Sequence, residues 1–203
     1  MPSATPSTLS RPRPERAAGA GADVGPPSFD AVYGAHFDLA WRTLLRLGVP
    51  SALVDDAAQE VFLVVHRRFG EFEGRSSWKT WIYAIVTHVA SDYRRATRRK
   101  SPHLVSPGAA VDADTVPDER STDPHDCAEQ RERVRALDRV LDQLDDESRT
   151  VLVLAELEEM SVPEIADVLG KNVNTVYGRL RLARRAFDEA ARRERARATW
   201  RLR

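Results

Sequence analysis

Apolar residues recur at helical spacing in two blocks of the chain, and no four-residue run alternates in the manner of a strand. In the first block Phe29, Val32, Tyr33, Phe37, Ala40, Trp41 and Leu44 share one stripe, which Gly48 and Pro50 stop. A second helix is predicted from about Ser51 to Phe69, burying Val54, Ala58, Val61, Phe62, Val65 and Phe69, with Gly70 and Gly74 bracketing the loop behind it. A third opens near Ser76 or Ser77, either of which suits a cap, and buries Trp81, Ile82, Ile85, Val89 and Tyr93. It ends in Arg94, Arg95, Arg98, Arg99 and Lys100, cations that favour a helix C-terminus and would equally suit nucleic acid.

The second block starts near Cys127, with Val134, Leu137, Val140, Leu141 and Leu144 on one stripe; Asp145 or Asp146 caps a following helix that holds Val151, Leu154 and Ala155. Ser161-Val162-Pro163-Glu164 then reads as a capping box, and proline is harmless in a first turn whose amides lack intrahelical partners. Ile165, Ala166 and Leu169 give that helix a buried face of about two turns, and Gly170 suits a left-handed terminator. The next helix, capped by Asn172 or Asn174, turns Val176, Leu180, Ala183 and Phe187 inward. Asn174, Thr175, Tyr177, Gly178, Arg181, Arg184 and Arg185 are left facing outward, with Lys171 and Arg179 close by. Two helices crossing at a glycine turn form a helix-turn-helix, and small polar residues followed by arginines suit a helix whose N-terminal end enters a major groove. A helical hairpin that never touches DNA fits the apolar pattern alone; the charge favours DNA.

These elements make an all-α fold of two small helical domains, 29–100 and 127–195, with a disordered tail expected at 1–28, a flexible acidic linker at 101–126 and a basic tail at 196–203. Charge sharpens the division. The chain has 31 basic and 31 acidic residues, yet residues 101–130 carry 1 Lys/Arg against 7 Asp/Glu and residues 171–203 carry 11 against 3. Such a swing is expected where only one end meets phosphate. Four prolines in the linker, Pro102, Pro107, Pro117 and Pro124, break any apolar period. Cys127 is the single cysteine, which excludes an internal disulfide and a cysteine zinc cluster. The prolines and glycines of the first 28 residues lack the apolar core of a signal peptide, and no run is long enough to span a bilayer, so a cytoplasmic protein is expected.

Two stretches in order carry a family resemblance. Asp55-Asp56-Ala57-Ala58-Gln59-Glu60-Val61-Phe62, Phe72-Glu73-Gly74 through Trp78-Lys79-Thr80-Trp81-Ile82-Tyr83, and Asp92-Tyr93-Arg94-Arg95 resemble region 2 of the bacterial RNA polymerase sigma factors of the extracytoplasmic-function group. Leu144 through Arg149, Ser161 through Ala166, Thr175-Val176 and Arg179 through Arg184 resemble region 4 of the same family. The resemblance implies that Asp55, Asp56, Gln59 and Glu60 dock on the clamp helices of the polymerase largest subunit. It implies that Glu73, Gly74, Arg75, Ser76, Ser77 and Lys79, with His88, meet the minus-10 element. In the minus-35 element Asn174, Thr175, Tyr177, Gly178 and Arg181 would face base edges, while Arg149, Lys171, Arg179 and Arg184 would suit phosphates. Region 4 would also contact the flap of the second-largest subunit. Core RNA polymerase and promoter DNA are thus the implied partners, no cofactor or metal is implied, and an anti-sigma factor is left open. Asn174 stands where the family usually has glycine, Tyr177-Gly178 replaces a basic-serine pair, His88 replaces a common asparagine and Asp145 a proline.

Two other classes compete. A ligand-responsive helix-turn-helix regulator would act without core polymerase, and an adaptor would bind only proteins. An enzyme has little support, because His36, His66, His88, His103 and His125 are scattered and no glycine-rich phosphate loop occurs.

Overall fold

The computed structural model describes residues 27–100 and 124–201. The expected N-terminal tail and linker fall almost wholly outside the described residues. Within them no strand occurs, and the all-α expectation holds.

In the first block α1 (Phe29–Arg46), α2 (Val54–Arg67) and α3 (Trp78–Lys100) pack on one another. Ser28 caps α1, its hydroxyl accepting from the Ala31 N–H at 3.3 Å. Gly48, at φ +89°, turns the chain into the short 3-10 turn Ser51–Leu53 that leads into α2. The α2 stripe of Val54, Ala57, Ala58, Val61, Phe62 and Val65 is buried against Ala40, Leu44 and Leu45 of α1 and Ile82, Tyr83, Val86 and Ala90 of α3. Each valine, leucine, isoleucine or phenylalanine buried in this way contributes about 1.5–3 kcal/mol. Of the two candidate caps of α3, Ser77 holds the position, accepting from the Thr80 N–H at 3.0 Å.

The second block comprises α4 (Pro124–Leu141), α5 (Asp146–Leu152), a π-helical turn Val153–Leu157, α6 (Val162–Leu169) and α7 (Val173–Arg201). Helix α4 begins three residues before the expected Cys127, with proline in its first position, where a missing N–H costs nothing. Asp145 caps α5 through the Ser148 N–H at 2.9 Å. Ser161 and Glu164 close the expected capping box, and Gly170 ends α6 at φ +59°. Asn172 accepts from the Asn174 N–H at 2.8 Å at the start of α7. That helix runs on as one piece to Arg201, into the stretch expected to be a separate basic tail. Arg139 of α4, bonded to both Glu132 and Glu194 at 2.8 and 2.6 Å, ties α4 to α7.

The two blocks are in contact, which the reading of two tethered bodies did not anticipate. Helix α3 packs on α6, and buried residues of both blocks form one continuous cluster.

Candidate nucleic-acid interface

The helix-turn-helix rests on Ile165, Ala166 and Val168 of α6 and Val176, Leu180 and Ala183 of α7, all buried. Ala166 and Ala183 have only a methyl group to place between the helices, so the crossing is close. With Val176 fixed inward, helical geometry turns the residues around it out. Asn174, Thr175, Tyr177, Gly178 and Arg181 are exposed as expected, Tyr177 by 57%. Val173, beside them, is 38% exposed and Leu182 55% exposed, so the face is not purely polar. Lys171, Arg181 and Arg185 have no ion-pair partner among the described residues. By contrast Arg179 pairs with Glu147, and Arg184 with Glu156 at 2.7 Å, in contacts open to solvent and therefore worth little.

Arg149 lies elsewhere. It is buried, its Nε donating to the Arg46 carbonyl at 2.7 Å and its Nη1 to Asp142 at 2.6 Å. In this arrangement it faces the first block and is not presented with the arginines of α7.

In the first block the residues expected at the minus-10 element form an exposed rim. Glu73, Gly74, Arg75, Ser76, Ser77 and Lys79 are all exposed around the start of α3, and Gly74 at φ +67° sets the bend. Arg75 pairs with Glu73. Beneath the rim Phe72 stacks on Trp78 with ring centroids 3.7 Å apart, and Trp81 meets both rings at 5.5 and 5.6 Å. The expectation that Trp81 belongs to the core is met only in part, since it is half-buried in this aromatic group. His88, two turns further along α3, is exposed.

The acidic edge of α2 is also presented outward, with Asp55, Asp56, Gln59 and Glu60 all exposed. Asp55 is anchored by the Trp41 indole N–H at 2.8 Å. Burial, and then the Glu60 and Asp56 carboxylates, raise the Tyr93 phenol above its ordinary range.

Two family descriptions match the chain, Sigma-70 region 2 over residues 32–100 and Sigma-70, region 4 over residues 134–187. The ECF RNA polymerase sigma-E factor of Escherichia coli K12 is 31% identical over 150 residues, covering 72% of this chain and 78% of that protein. The chain belongs to the extracytoplasmic-function sigma factors. It is thus an alternative sigma factor, directing promoter recognition together with RNA polymerase. The RNA polymerase sigma-H factor of Pseudomonas aeruginosa is 33% identical over 139 residues, 66% of this sigma factor and 71% of that one. Among solved structures, the fold resembles RpoE bound to the anti-sigma factor NepR from Bartonella quintana. The TM-score is 0.62 at 16% identity, over 81% of this chain and 96% of that one. CnrH in complex with the cytosolic domain of CnrY gives a TM-score of 0.55 at 24% identity, over 79% and 85% of the two chains.

Sequence reasoning passed over a second cluster in this sigma factor. Glu158 is 8% exposed, and its carboxylate accepts from Thr43 at 3.0 Å, from Arg46 at 2.9 Å and from the Tyr83 hydroxyl. Burial, and then Glu158, raise the Tyr83 phenol far above its ordinary range. The signal was present: Val151, Leu154 and Glu158 lie at steps of three and four, so the acid falls on an apolar stripe where the period predicts burial. A buried carboxylate requires donors, and none lies next to it in sequence.

Proposed function

We propose that this sigma factor reads its promoter with two surfaces carried on separate domains. The exposed N-terminal face of α7, from Asn174 to Arg181, enters the major groove of the minus-35 element. Asn174, Thr175, Tyr177, Gly178 and Arg181 meet base edges there, and Lys171, Arg179 and Arg184 hold phosphates. The rim formed by Glu73, Gly74, Arg75, Ser76, Ser77 and Lys79, with His88, meets the minus-10 element. The observation that carries this reading is a basic, exposed helix face, on which Lys171, Arg181 and Arg185 have no ion-pair partner among the described residues, mounted on a doubly capped helix-turn-helix in one chain with a region 2 domain.

The acidic edge Asp55, Asp56, Gln59 and Glu60 suits a basic partner, the clamp helices of the largest subunit. A groove of about 310 Å³ between α4, the π-turn and α7 is lined mainly by Leu137, Leu141, Leu152, Leu157 and Phe187. It fits an apolar protrusion such as the flap of the second-largest subunit. RpoE is bound to an anti-sigma factor and CnrH to the cytosolic domain of CnrY, and a partner of the same kind is proposed here. The protein acts in the cytoplasm, as a specificity subunit and not as an enzyme.

Run-off transcription tests the reading. Purified core polymerase with this protein should initiate at one defined start on DNA from upstream of its own gene, whereas neither component alone should. Initiation at the same start by core polymerase alone would overturn it, as would operator binding that needs no polymerase.

A further inference from the structure

We infer that Gly178 opens a furrow on the outward face of α7 that seats the 5-methyl group of a thymine in the minus-35 element, with Tyr177 and Leu182 as its walls. This rests on the proposed function and names the chemical group that this part of the helix reads.

Gly178 lies in the interior of α7, where glycine is a poor choice. It loses more chain entropy on folding than alanine does and brings no side chain to pack, so it weakens a helix wherever the backbone has no need of it. Nothing in the protein has that need. The glycines at positive φ among the described residues are Gly48, Gly74 and Gly170, so Gly178 keeps ordinary helical backbone. A Cβ built on it would meet no atom of the described residues within 4 Å beyond its chain neighbours and its own helix backbone, so no packed element forces the side chain to be absent. The reason for the glycine therefore lies outside the molecule. An open glycine alone decides nothing, since Gly34 of α1 is equally open; the surroundings of Gly178 decide it.

Two residues on from the fully buried Val176, Gly178 faces almost straight away from the core. Exposed Tyr177, with Val173 one turn before it, borders one flank of this bare backbone. Exposed Leu182, one turn after Gly178, and Thr175, one turn before it, border the other flank. Asn174 and Arg181 lie one turn to either side along the outward face itself. Apolar groups thus wall a furrow whose two ends are polar. In the major groove the thymine 5-methyl is the one alkyl group among hydrogen-bond donors and acceptors, so it is the group that apolar walls can distinguish. The missing Cβ lets the helix backbone come close enough for the walls to enclose it. Lys171, Arg181 and Arg185, without ion-pair partners among the described residues, surround the furrow with positive charge, which suits a duplex as its occupant.

The test is promoter binding by the full-length protein reconstituted with core polymerase. Each thymine of the minus-35 element is replaced in turn by deoxyuridine, which removes the methyl group and keeps every hydrogen-bonding group. One replacement should weaken binding about four-fold, the scale of one buried carbon, and the rest should be nearly neutral. Gly178→Ala fills the furrow: it should weaken binding to the thymine duplex about ten-fold and erase the difference between thymine and uracil. The same variant should raise the midpoint of thermal unfolding, because alanine favours the helix. A residue that only shaped the helix would move binding and stability in the same direction. Leu182→Ala, at a residue 55% exposed, should fold as wild type and shrink the thymine-to-uracil difference to less than about two-fold. Equal affinity for thymine and uracil at every position would overturn the inference, as would Gly178→Ala binding like wild type. So would a preferred minus-35 element without an A·T pair. Run-off transcription by wild type separates the two claims: no initiation refutes the proposed function, while initiation with uracil tolerated throughout refutes only the methyl contact.

Discussion

Two sets of arginines in this molecule look alike in sequence and are placed in opposite circumstances. On the outward face of α7, Arg181 and Arg185 are exposed and without ion-pair partners among the described residues. Between the domains, Arg94 and Arg149 are buried, and Arg46 joins them with its guanidinium on Glu158. An arginine that the protein has already satisfied contributes to stability and little to ligand binding, whereas an unpaired one contributes little to stability and is ready for phosphate or a base edge. The comparison can be broken at either end.

The largest effect is expected at Arg149. Removing it strands the Asp142 carboxylate and the Arg46 carbonyl, both of which it holds at under 3 Å. Asp142 itself is open to solvent, so the loss lies in the bonds and packing of the buried guanidinium, together about 3 kcal/mol. Arg149→Ala should therefore lower the midpoint of thermal unfolding by many degrees, whereas Arg185→Ala should shift stability by less than about 0.5 kcal/mol. Equal melting curves for the two variants would erase the distinction.

Gly48→Ala is the next strongest probe. The residue sits at φ +89°, and an added Cβ would lie 2.9 Å from the Arg149 Nη1 and 3.0 Å from its Cζ. Backbone strain together with the displaced guanidinium should cost about 2 kcal/mol. Chemical denaturation should show it as a lower midpoint at an unchanged slope. A variant as stable as wild type would show that Arg149 yields readily and that the contact is loose.

At the other end of the comparison, Arg181→Ala should leave folding intact and weaken discrimination at one minus-35 position by about 1–3 kcal/mol. Lys171→Ala should instead weaken binding at all sequences and reduce the salt dependence by about one phosphate contact. Promoter libraries read with reconstituted holoenzyme distinguish the two. Unchanged base preference in Arg181→Ala would mean that the recognition surface lies on another part of α7.

The fold was legible because it is written in local signals. Ser161 with Glu164, Gly170 and the period of Val176, Leu180 and Ala183 fix the helix-turn-helix within a short stretch of chain, and each stands where the pattern puts it. Arg149 was different. Its neighbours Ser148 and Thr150 mark only a helix, and nothing nearby shows that the Arg46 carbonyl, 103 positions away, would occupy it. Thr43 and Glu158 are separated by 115 positions. Contacts between domains join residues whose pairing no periodicity encodes, so a charge assigned to DNA and a charge assigned to the partner domain look the same until the packing is known. The π-turn Val153–Leu157 was equally hidden, since one extra residue in a turn leaves the apolar stripe nearly unaltered.

The smallest expected effect concerns Asp138, which lies near Arg46, Arg149 and Asp142 and has one carboxylate oxygen buried without a hydrogen-bond partner. Burial, reinforced by the neighbouring Asp142, raises its carboxyl to about 6 from an ordinary 3.8, despite the nearby arginines. Between those values the folded protein holds a proton that the unfolded chain has released, so stability from this group rises as pH falls from about 6 towards 4. Two capping carboxylates act oppositely. Glu164 is held low by the Ser161 hydroxyl and N–H, and Asp145 is held low, against its burial, by the Ser148 N–H. Their contributions are present above the ordinary carboxylate range and are lost only as pH falls below it. The melting temperature should therefore climb gently from pH 7 to pH 5 before acid destabilisation sets in. Asp138→Asn should raise stability at pH 7 and flatten that climb. Should the variant keep the wild-type slope, another group carries the proton, and the inward-facing arginines are not compensating a costly neighbour.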